Sequence, residues 1–275
     1  NTTEVKVNQA VLVGLNSPAL DREETATERS MEERAALLED MGYPADYLED
    51  KPACALCGNT GYDKHGVCRC LREYYAKEQL QELSRLLPLG EARFETFRFD
   101  LYDSAVWESY GTSPRANMEH NFDVCRDYAN QFSRGSGSLL LSGGTGLGKT
   151  FLSACIARVV SEGGFSVVYD TAISIFARLE DAKFRPDEAN AADVRRCESC
   201  DLLILDDLGT EMTTSFVQSA LYQLVNGRML SGKSTILNTN LAPQELAARY
   251  GAPILSRIEG TYEILPFFGE DIRTK

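Results

Sequence analysis

Gly143-Gly144-Thr145-Gly146-Leu147-Gly148-Lys149-Thr150 is the stretch whose reading decides the fold. It fills every fixed place of the pattern G-x-x-x-x-G-K-[ST]. An apolar run, Ser138-Leu139-Leu140-Leu141-Ser142, precedes it and has the length of a buried strand. Phe151, Leu152, Cys155, Ile156 and Val159 follow at helical spacing and form an inward stripe over 150–160. Glycines in such a loop allow a tight backbone path that aims successive N–H groups at phosphate oxygens. The helix N-terminus adds partial positive charge at the same point. Lys149 can reach the β- and γ-phosphates, and the Thr150 hydroxyl can ligate Mg²⁺.

A second stretch supplies the acidic half of such a site. In Leu202-Leu203-Ile204-Leu205-Asp206-Asp207, four apolar residues bury a strand and two carboxylates emerge at its C-terminal end. Open α/β sheets bind ligands at that end. Asp206 is expected to hold Mg²⁺ through water, and Asp207 to orient or deprotonate an attacking water. Ser234-Thr235-Ile236-Leu237-Asn238-Thr239-Asn240 is a further apolar strand ending in amides. Asn240 is a candidate to hydrogen-bond the γ-phosphate or that water; an ordinary turn asparagine is the alternative. Arg257 reads on spacing alone as a surface arginine, or as a finger completing a neighbouring subunit's site.

Working outward, short apolar runs alternate with helical ones after Gly137. Strands are predicted at 138–142, 165–169, 202–206, 234–238 and 261–265. Helices are predicted at about 149–162, 172–183, 213–229 and 243–259. This alternation argues for an α/β fold with a five-stranded parallel sheet covered on both faces. Pro114 sits where a helix can begin, with Met118, Phe122, Tyr128 and Phe132 to bury. The resulting organisation is an acidic N-terminal helical segment at 1–50, a metal module at 51–75, a linker at 76–112 and the nucleotide domain at 113–275. Within the first segment, Met31, Ala35, Leu38 and Met41 give a helical stripe over 21–41, and Gly42 a stop.

The metal module rests on Cys54, Cys57, Cys68 and Cys70, four of the eight cysteines. A C-x-x-C knuckle followed by Gly58, then a C-x-C pair, offers four thiolates to tetrahedral Zn²⁺. Two disulfides or four unligated thiols are the alternatives, and His65 is a substitute ligand. Cys197 and Cys200 have no second pair nearby and read as buried residues. The net charge of −13 opposes strong independent binding to nucleic acid. Residues 1–50, however, hold 12 acidic and 4 basic side chains, which leaves only −5 over the other 225. Weak or partner-assisted contact with DNA therefore stays open. No apolar run approaches the ~20 residues that cross a membrane, and no partner in a membrane is expected. The first residue is Asn1 rather than Met, so the numbering is expected to start inside a longer chain. A cytoplasmic location is expected.

Taken together, Gly143–Thr150, Asp206-Asp207 within Leu-Asp-Asp-Leu-Gly, Asn238-Thr239-Asn240-Leu241, Leu255-Ser256-Arg257 and the closing Phe267-Phe268-Gly269-Glu270-Asp271-Ile272-Arg273 are similar to the AAA+ ATPases of the bacterial replicative helicase loader family. The resemblance covers about 90–275, and the cysteine cluster resembles the zinc-containing N-terminal region of the Firmicute-type members. It implies an AAA+ core without a helical lid domain, with Asn240 as sensor 1 and Arg257 as arginine finger. It also implies ATP, Mg²⁺ and Zn²⁺ as cofactors, a hexameric replicative helicase and single-stranded DNA as partners, and self-assembly on ATP or DNA. Asp207 stands where many AAA+ proteins carry Glu, and Arg273 is a candidate nucleotide contact. Two other functions compete. A transposition-helper ATPase of the IstB type shares the core, but lacks the zinc region. A small-molecule P-loop kinase would need an acceptor pocket and lid that 90–275 does not suggest.

Overall fold

The computed structural model describes residue 31 and residues 33–44, 47–48, 52–86, 92–185 and 187–274, with side chains in the helix before 86 described through Glu78. The residues up to Thr60 form one unit and those from Gly61 another.

In the first unit a helix, α1, covers 33–40. It stops where the sequence predicts. Gly42 adopts a left-handed conformation (φ 81°), while Gly42 N–H donates to Glu39 O and Tyr43 N–H to Leu38 O. That is the glycine-terminated close of a helix end. Of the predicted stripe, Leu38 is buried, Ala35 half-buried, and Met31 and Met41 are exposed. Residues 21–30 of the predicted helix lie outside the described residues.

The second unit opens with a two-stranded hairpin, β1 (Tyr62–Asp63) and β2 (Gly66–Val67), and a helix, α2 (Arg69–Leu86). Two 3-10 turns, Phe94–Thr96 and Phe99–Leu101, lead to α3 (Pro114–Asn130). The Ser113 hydroxyl caps α3 by accepting from Ala116 N, with Pro114 at the first turn where its missing N–H costs nothing. The main sheet then alternates with helices. Its strands are β3 (Ser138–Gly143), β4 (Val167–Thr171), β5 (Leu202–Leu208), β6 (Ser234–Thr239) and β7 (Tyr262–Phe267). The helices are α4 (Lys149–Glu162), α5 (Ala172–Phe184), α6 (Glu188–Ser199), α7 (Ser215–Leu230), α8 (Pro243–Tyr250) and α9 (Ala252–Thr261).

All five strands are parallel, in the order β4-β5-β6-β3-β7. A strand covered on both faces needs a continuous apolar run, and the period of two divides that run between the faces. Leu139, Leu141, Leu202, Ile204 and Ile236 enter a core built with α3 and α4. Leu140, Leu203, Leu205 and Leu237 enter a second core built with α5, α7, α8 and α9. The aromatic stretch before α3 joins the first core: Phe97 packs edge-on to Phe99 at 4.9 Å and Phe151 at 5.6 Å.

Two predicted elements differ, and a third element is not predicted. The second strand runs over Val167–Thr171 rather than 165–169, because Phe165 N–H still closes the preceding helix on Val160 O. The single helix predicted at 243–259 is two, divided at Gly251 (φ 98°). Pro253, two residues on, has no N–H to continue the first helix. Helix α6 has no predicted counterpart, since Cys197 is its only buried residue and it shows no apolar stripe. The burial expected of Cys197 and Cys200 is found.

Arg228 is 1% exposed and joins three elements between the second core and the sheet. Its Nη1 donates to the carbonyls of Cys197 at 2.7 Å and Cys200 at 3.1 Å, closing the C-terminal end of α6. Its Nε donates to Thr235 Oγ1 at 2.9 Å and its Nη2 to Ser234 O at 2.5 Å. Removing a charged donor from buried acceptors leaves each of them desolvated and unpaired. Arg228→Met should therefore lower unfolding stability by about 2–4 kcal/mol, seen as a lower denaturant midpoint. The half-buried ion-pair arginine Arg126, at the surface, changed to Met, should shift the midpoint far less.

Candidate functional site: the phosphate loop and the acidic strand

Strand β3 ends at Gly143 and helix α4 begins at Lys149, so the motif forms the turn between them. Two glycines are required by space as well as by conformation. A Cβ on Gly143 (φ 146°) would lie 1.8 Å from Phe267 O of the neighbouring strand. One on Gly148 (φ 92°) would lie 2.7 Å from the Tyr102 hydroxyl, which donates to Leu147 O at 3.2 Å. The loop is thus held from both sides, with the start of a 14-residue helix behind it and its partial positive charge turned toward any anion there.

Lys149 is buried, and its ammonium donates to Gly143 O and Gly144 O at 2.6 Å and to Asn240 Oδ1 at 2.8 Å. Burial pulls its pKa down to about 8, against the opposing pull of the Asp206 and Asp207 charges. Asp206 is the most heavily bonded side chain of the site. Its Oδ1 accepts from Thr150 Oγ1 at 3.2 Å, Asn238 Nδ2 at 2.9 Å and Asp207 N at 3.0 Å. Its Oδ2 accepts from Tyr169 OH at 2.6 Å. Burial, and then the Asp206 charge, raise the Tyr169 pKa far above its usual value, so the phenol keeps the proton it donates. Ser153 closes the network, accepting from Asn238 Nδ2 at 2.7 Å while donating to Lys149 O and Thr150 O at 3.1 Å.

Asp207 differs from its neighbour in each respect. It is exposed, its backbone is left-handed (φ 53°), and the ladder between β5 and β6 is irregular between Leu205 and Leu208. Partial desolvation and the Asp206 charge raise its pKa. One pocket of about 560 Å³ brings these groups together. Thr145, Gly146, Gly148, Lys149, Thr150, Asp207 and Asn240 line its polar part, and Ala92, Phe151, Ala154 and Ile272 give apolar surface. Its volume suits a nucleotide-sized ligand. The hydroxyl–carboxylate pair Thr150 and Asp206 is a hard oxygen donor set of the kind Mg²⁺ takes, directly or through water.

Arg273 lines the same pocket, and the turn carrying it docks on the loop through Ile272 N–H to Gly146 O at 3.0 Å. Its guanidinium holds Asp271, through Nη2 at 2.5 Å and Nε at 2.9 Å, and draws that carboxyl down to about 2. Arg257 is placed elsewhere. It lies over the Tyr222 ring at 4.5 Å, donates through Nε to Asn226 Oδ1 at 2.8 Å, and is not among the residues lining its own chain's pocket. Tyr169, Asn238 and Ser153 escape sequence reading. An asparagine inside an apolar strand does signal a buried partner, but not which one.

The four sulfurs of Cys54, Cys57, Cys68 and Cys70 all lie within 4.8 Å of one another, and none of the eight cysteines is in a disulfide. Tetrahedral Zn–S bonds of ~2.3 Å put sulfurs about 3.8 Å apart, so the donor set fits zinc with small side-chain adjustment. The knuckle turns at Gly58 (φ 55°), whose N–H donates to Cys54 O at 3.0 Å. The hairpin of β1 and β2 returns the chain so that Cys68 N–H meets Gly61 O at 2.8 Å. His65 is not part of the group. Among the described residues no helix is long and apolar enough to cross a membrane. The last strand is followed among them by a 3-10 turn, Ile272–Thr274, and not by a helical lid.

Comparison with known proteins agrees with this architecture. The chain is 23% identical over 158 residues to the replicative helicase loader DnaC of Escherichia coli K12, which is 58% of this chain and 64% of that protein. It thus spans just under two thirds of that relative's length. It is 32% identical over 134 residues to the replicative helicase loader DnaI of Bacillus subtilis, 48% of this chain and 41% of that protein. A solved structure of the DnaC helicase loader superposes with a TM-score of 0.51 at 20% identity, covering 64% of this chain and 98% of that one. This likeness identifies the fold as the AAA+ core. The model of the IstB-like ATP binding protein family matches residues 125–275, the span that holds the phosphate loop, the acidic strand and the arginines after it. The chain is a P-loop protein of AAA+ fold and belongs to the IstB-like ATP binding protein family.

Proposed function

We propose that this protein hydrolyses ATP to deliver a hexameric replicative helicase onto single-stranded DNA. The observation that carries the reading is the convergence of Lys149, Thr150, Asp207 and Asn240 on one pocket, with Asp206 bonded to Thr150 behind it. The similarity to proteins named replicative helicase loaders supports the choice of task. In this reading Gly143 to Thr150 hold the triphosphate, and Lys149 exchanges its loop carbonyls and Asn240 for phosphate oxygens. Thr150 and Asp206 would hold Mg²⁺, which would supply positive charge against the phosphates. Asp207 orients or deprotonates the attacking water, and Asn240, freed from Lys149, contacts the γ-phosphate or that water as sensor 1.

Arg257 acts in trans. Its place outside its own chain's pocket suits a role at a neighbouring subunit's pocket on assembly with ATP or DNA, for which it would leave Asn226 and Pro253. Single-stranded DNA is held weakly or with the helicase's help, the zinc module and acidic segment belong to the partner-binding side, and the work is done in the cytoplasm. A transposition helper is the second reading, favoured by the family whose model matches. Co-purification with a hexameric helicase supports the loader; capture of a transposase instead would favour the helper.

The zinc reading predicts about one Zn²⁺ per chain by elemental analysis of protein prepared without chelator, and its loss in a Cys54→Ser, Cys57→Ser variant. Metal-free wild-type protein would remove zinc from the account.

The trans reading predicts that ATP turnover per subunit rises with protein concentration. Lys149→Ala should abolish nucleotide binding, while Arg257→Ala should keep it and lose the rise, because a finger acts in the transition state and is worth ~10³–10⁵ in rate in the best cases. Mixed Lys149→Ala and Arg257→Ala subunits should recover part of the activity. A mixture as inactive as its parts, where wild-type subunits assemble, returns Arg257 to a surface role.

A further inference from the structure

We infer that Glu211 is a positioning residue for Asp207, its buried carboxylate holding the left-handed turn that presents Asp207 to the pocket. The inference rests on the proposed role of Asp207. Left-handed backbone is disfavoured for a residue with a Cβ and persists only where its surroundings hold it. Here Asp207 is such a residue, at φ 53°, with Gly209 at φ 107° two positions on.

Asp207 O accepts from Thr210 N at 3.2 Å and Thr210 Oγ1 at 2.8 Å, which closes the turn locally. Local bonds of this kind also form in turns of ordinary backbone, so they do not select the left-handed path. Glu211 supplies the longer constraint. It is 6% exposed, and its Oε2 accepts from Gly209 N at 2.9 Å. Its Oε1 accepts from the Tyr250 hydroxyl, and its carbonyl accepts from Arg249 Nη2. Tyr250 is itself buried at the end of α8. The turn is thus bonded to a helix end about 40 residues further along the chain, through a side chain whose burial carries a desolvation cost.

Gly209 has no room for a side chain. A Cβ on Gly209 would meet Leu241 Cδ1 at 2.7 Å, and Leu241 follows the pocket residue Asn240 directly. Without the Glu211 acceptor the Gly209 N–H loses its partner, and Asp207 is released toward ordinary backbone angles. Its carboxylate would then swing away from the water it is proposed to orient. Lys149, Thr150 and Asp206, which bind the nucleotide in that reading, have no bond to Glu211. Asp206 meets the turn only by accepting from Asp207 N–H, and its donors Thr150, Tyr169 and Asn238 keep it in place.

The test separates kcat from nucleotide affinity in the full chain, under conditions where the wild type turns over ATP. Glu211→Ala should lower kcat on the order of 10- to 100-fold, the effect of about an ångström of misplacement. Affinity for a fluorescent ATP analogue should stay within about twofold, since uniform binding is untouched. Glu211→Gln should recover most of the rate, its amide oxygen accepting from Gly209 N–H and its NH₂ donating to the Tyr250 oxygen. Should the alanine variant fail to fold, Glu211→Asp, shorter by one methylene, carries the same expectation of lower kcat at unchanged affinity. A folded alanine or aspartate variant with wild-type kcat overturns the inference. So does a loss in which affinity falls in step with kcat, or one that glutamine does not relieve. Asp207→Asn in the same assay distinguishes the two levels. If it hydrolyses ATP normally, the reading of Asp207 fails. If it is inactive while the Glu211 variants are normal, the role of Glu211 alone fails.

Discussion

The site depends on one buried carboxylate. Asp206 is 4% exposed and accepts four hydrogen bonds, from Thr150, Tyr169, Asn238 and its own neighbour's N–H. A carboxylate left without partners at that depth would be costly to the fold. The donors that satisfy it come from α4, β4, β5 and β6. The strand order, with β5 between β4 and β6 and β6 beside the strand that feeds the phosphate loop, brings them to one point.

From that fixed charge the chain divides two adjacent acids into different environments. Asp206 keeps its register with β4, opposite Thr171, and is locked by its donors. Asp207 lies within the irregular stretch of the β5–β6 ladder, in a left-handed turn, with its carboxylate exposed and its pKa raised. One acid is held still by its donors, and the next faces the pocket. Lys149 balances the pair from the other side, its ammonium held by two loop carbonyls and Asn240.

Much of this was legible in the sequence because it is local. Gly143–Thr150 needs no partner to be recognised, and runs such as Leu139-Leu140-Leu141 declare strands buried on both faces. What was hidden depends on strand order or lacks an apolar signal. Tyr169 is an ordinary strand tyrosine until β4 lies against β5, and Asn238 gains its partner only when β6 lies on the other side. Helix α6 buries Cys197 alone, so no periodicity announces it. The break at Gly251 was masked by apolar residues that continue at helical spacing on both sides of it. Arg257 could be flagged by its position in the chain, but spacing gave no hint of its contacts with Asn226 and Tyr222.

The measurement that bears most directly on the central claim is electron paramagnetic resonance of Mn²⁺, as a stand-in for Mg²⁺, titrated with ATP into wild-type protein and Asp206→Asn. The account predicts about one nucleotide-dependent Mn²⁺ per chain in the wild type, and its loss in the variant while metal-free ATP still binds. Equal Mn²⁺ binding in both proteins would contradict it, and would show that the carboxylate at the centre of this network is not on the metal side of the site.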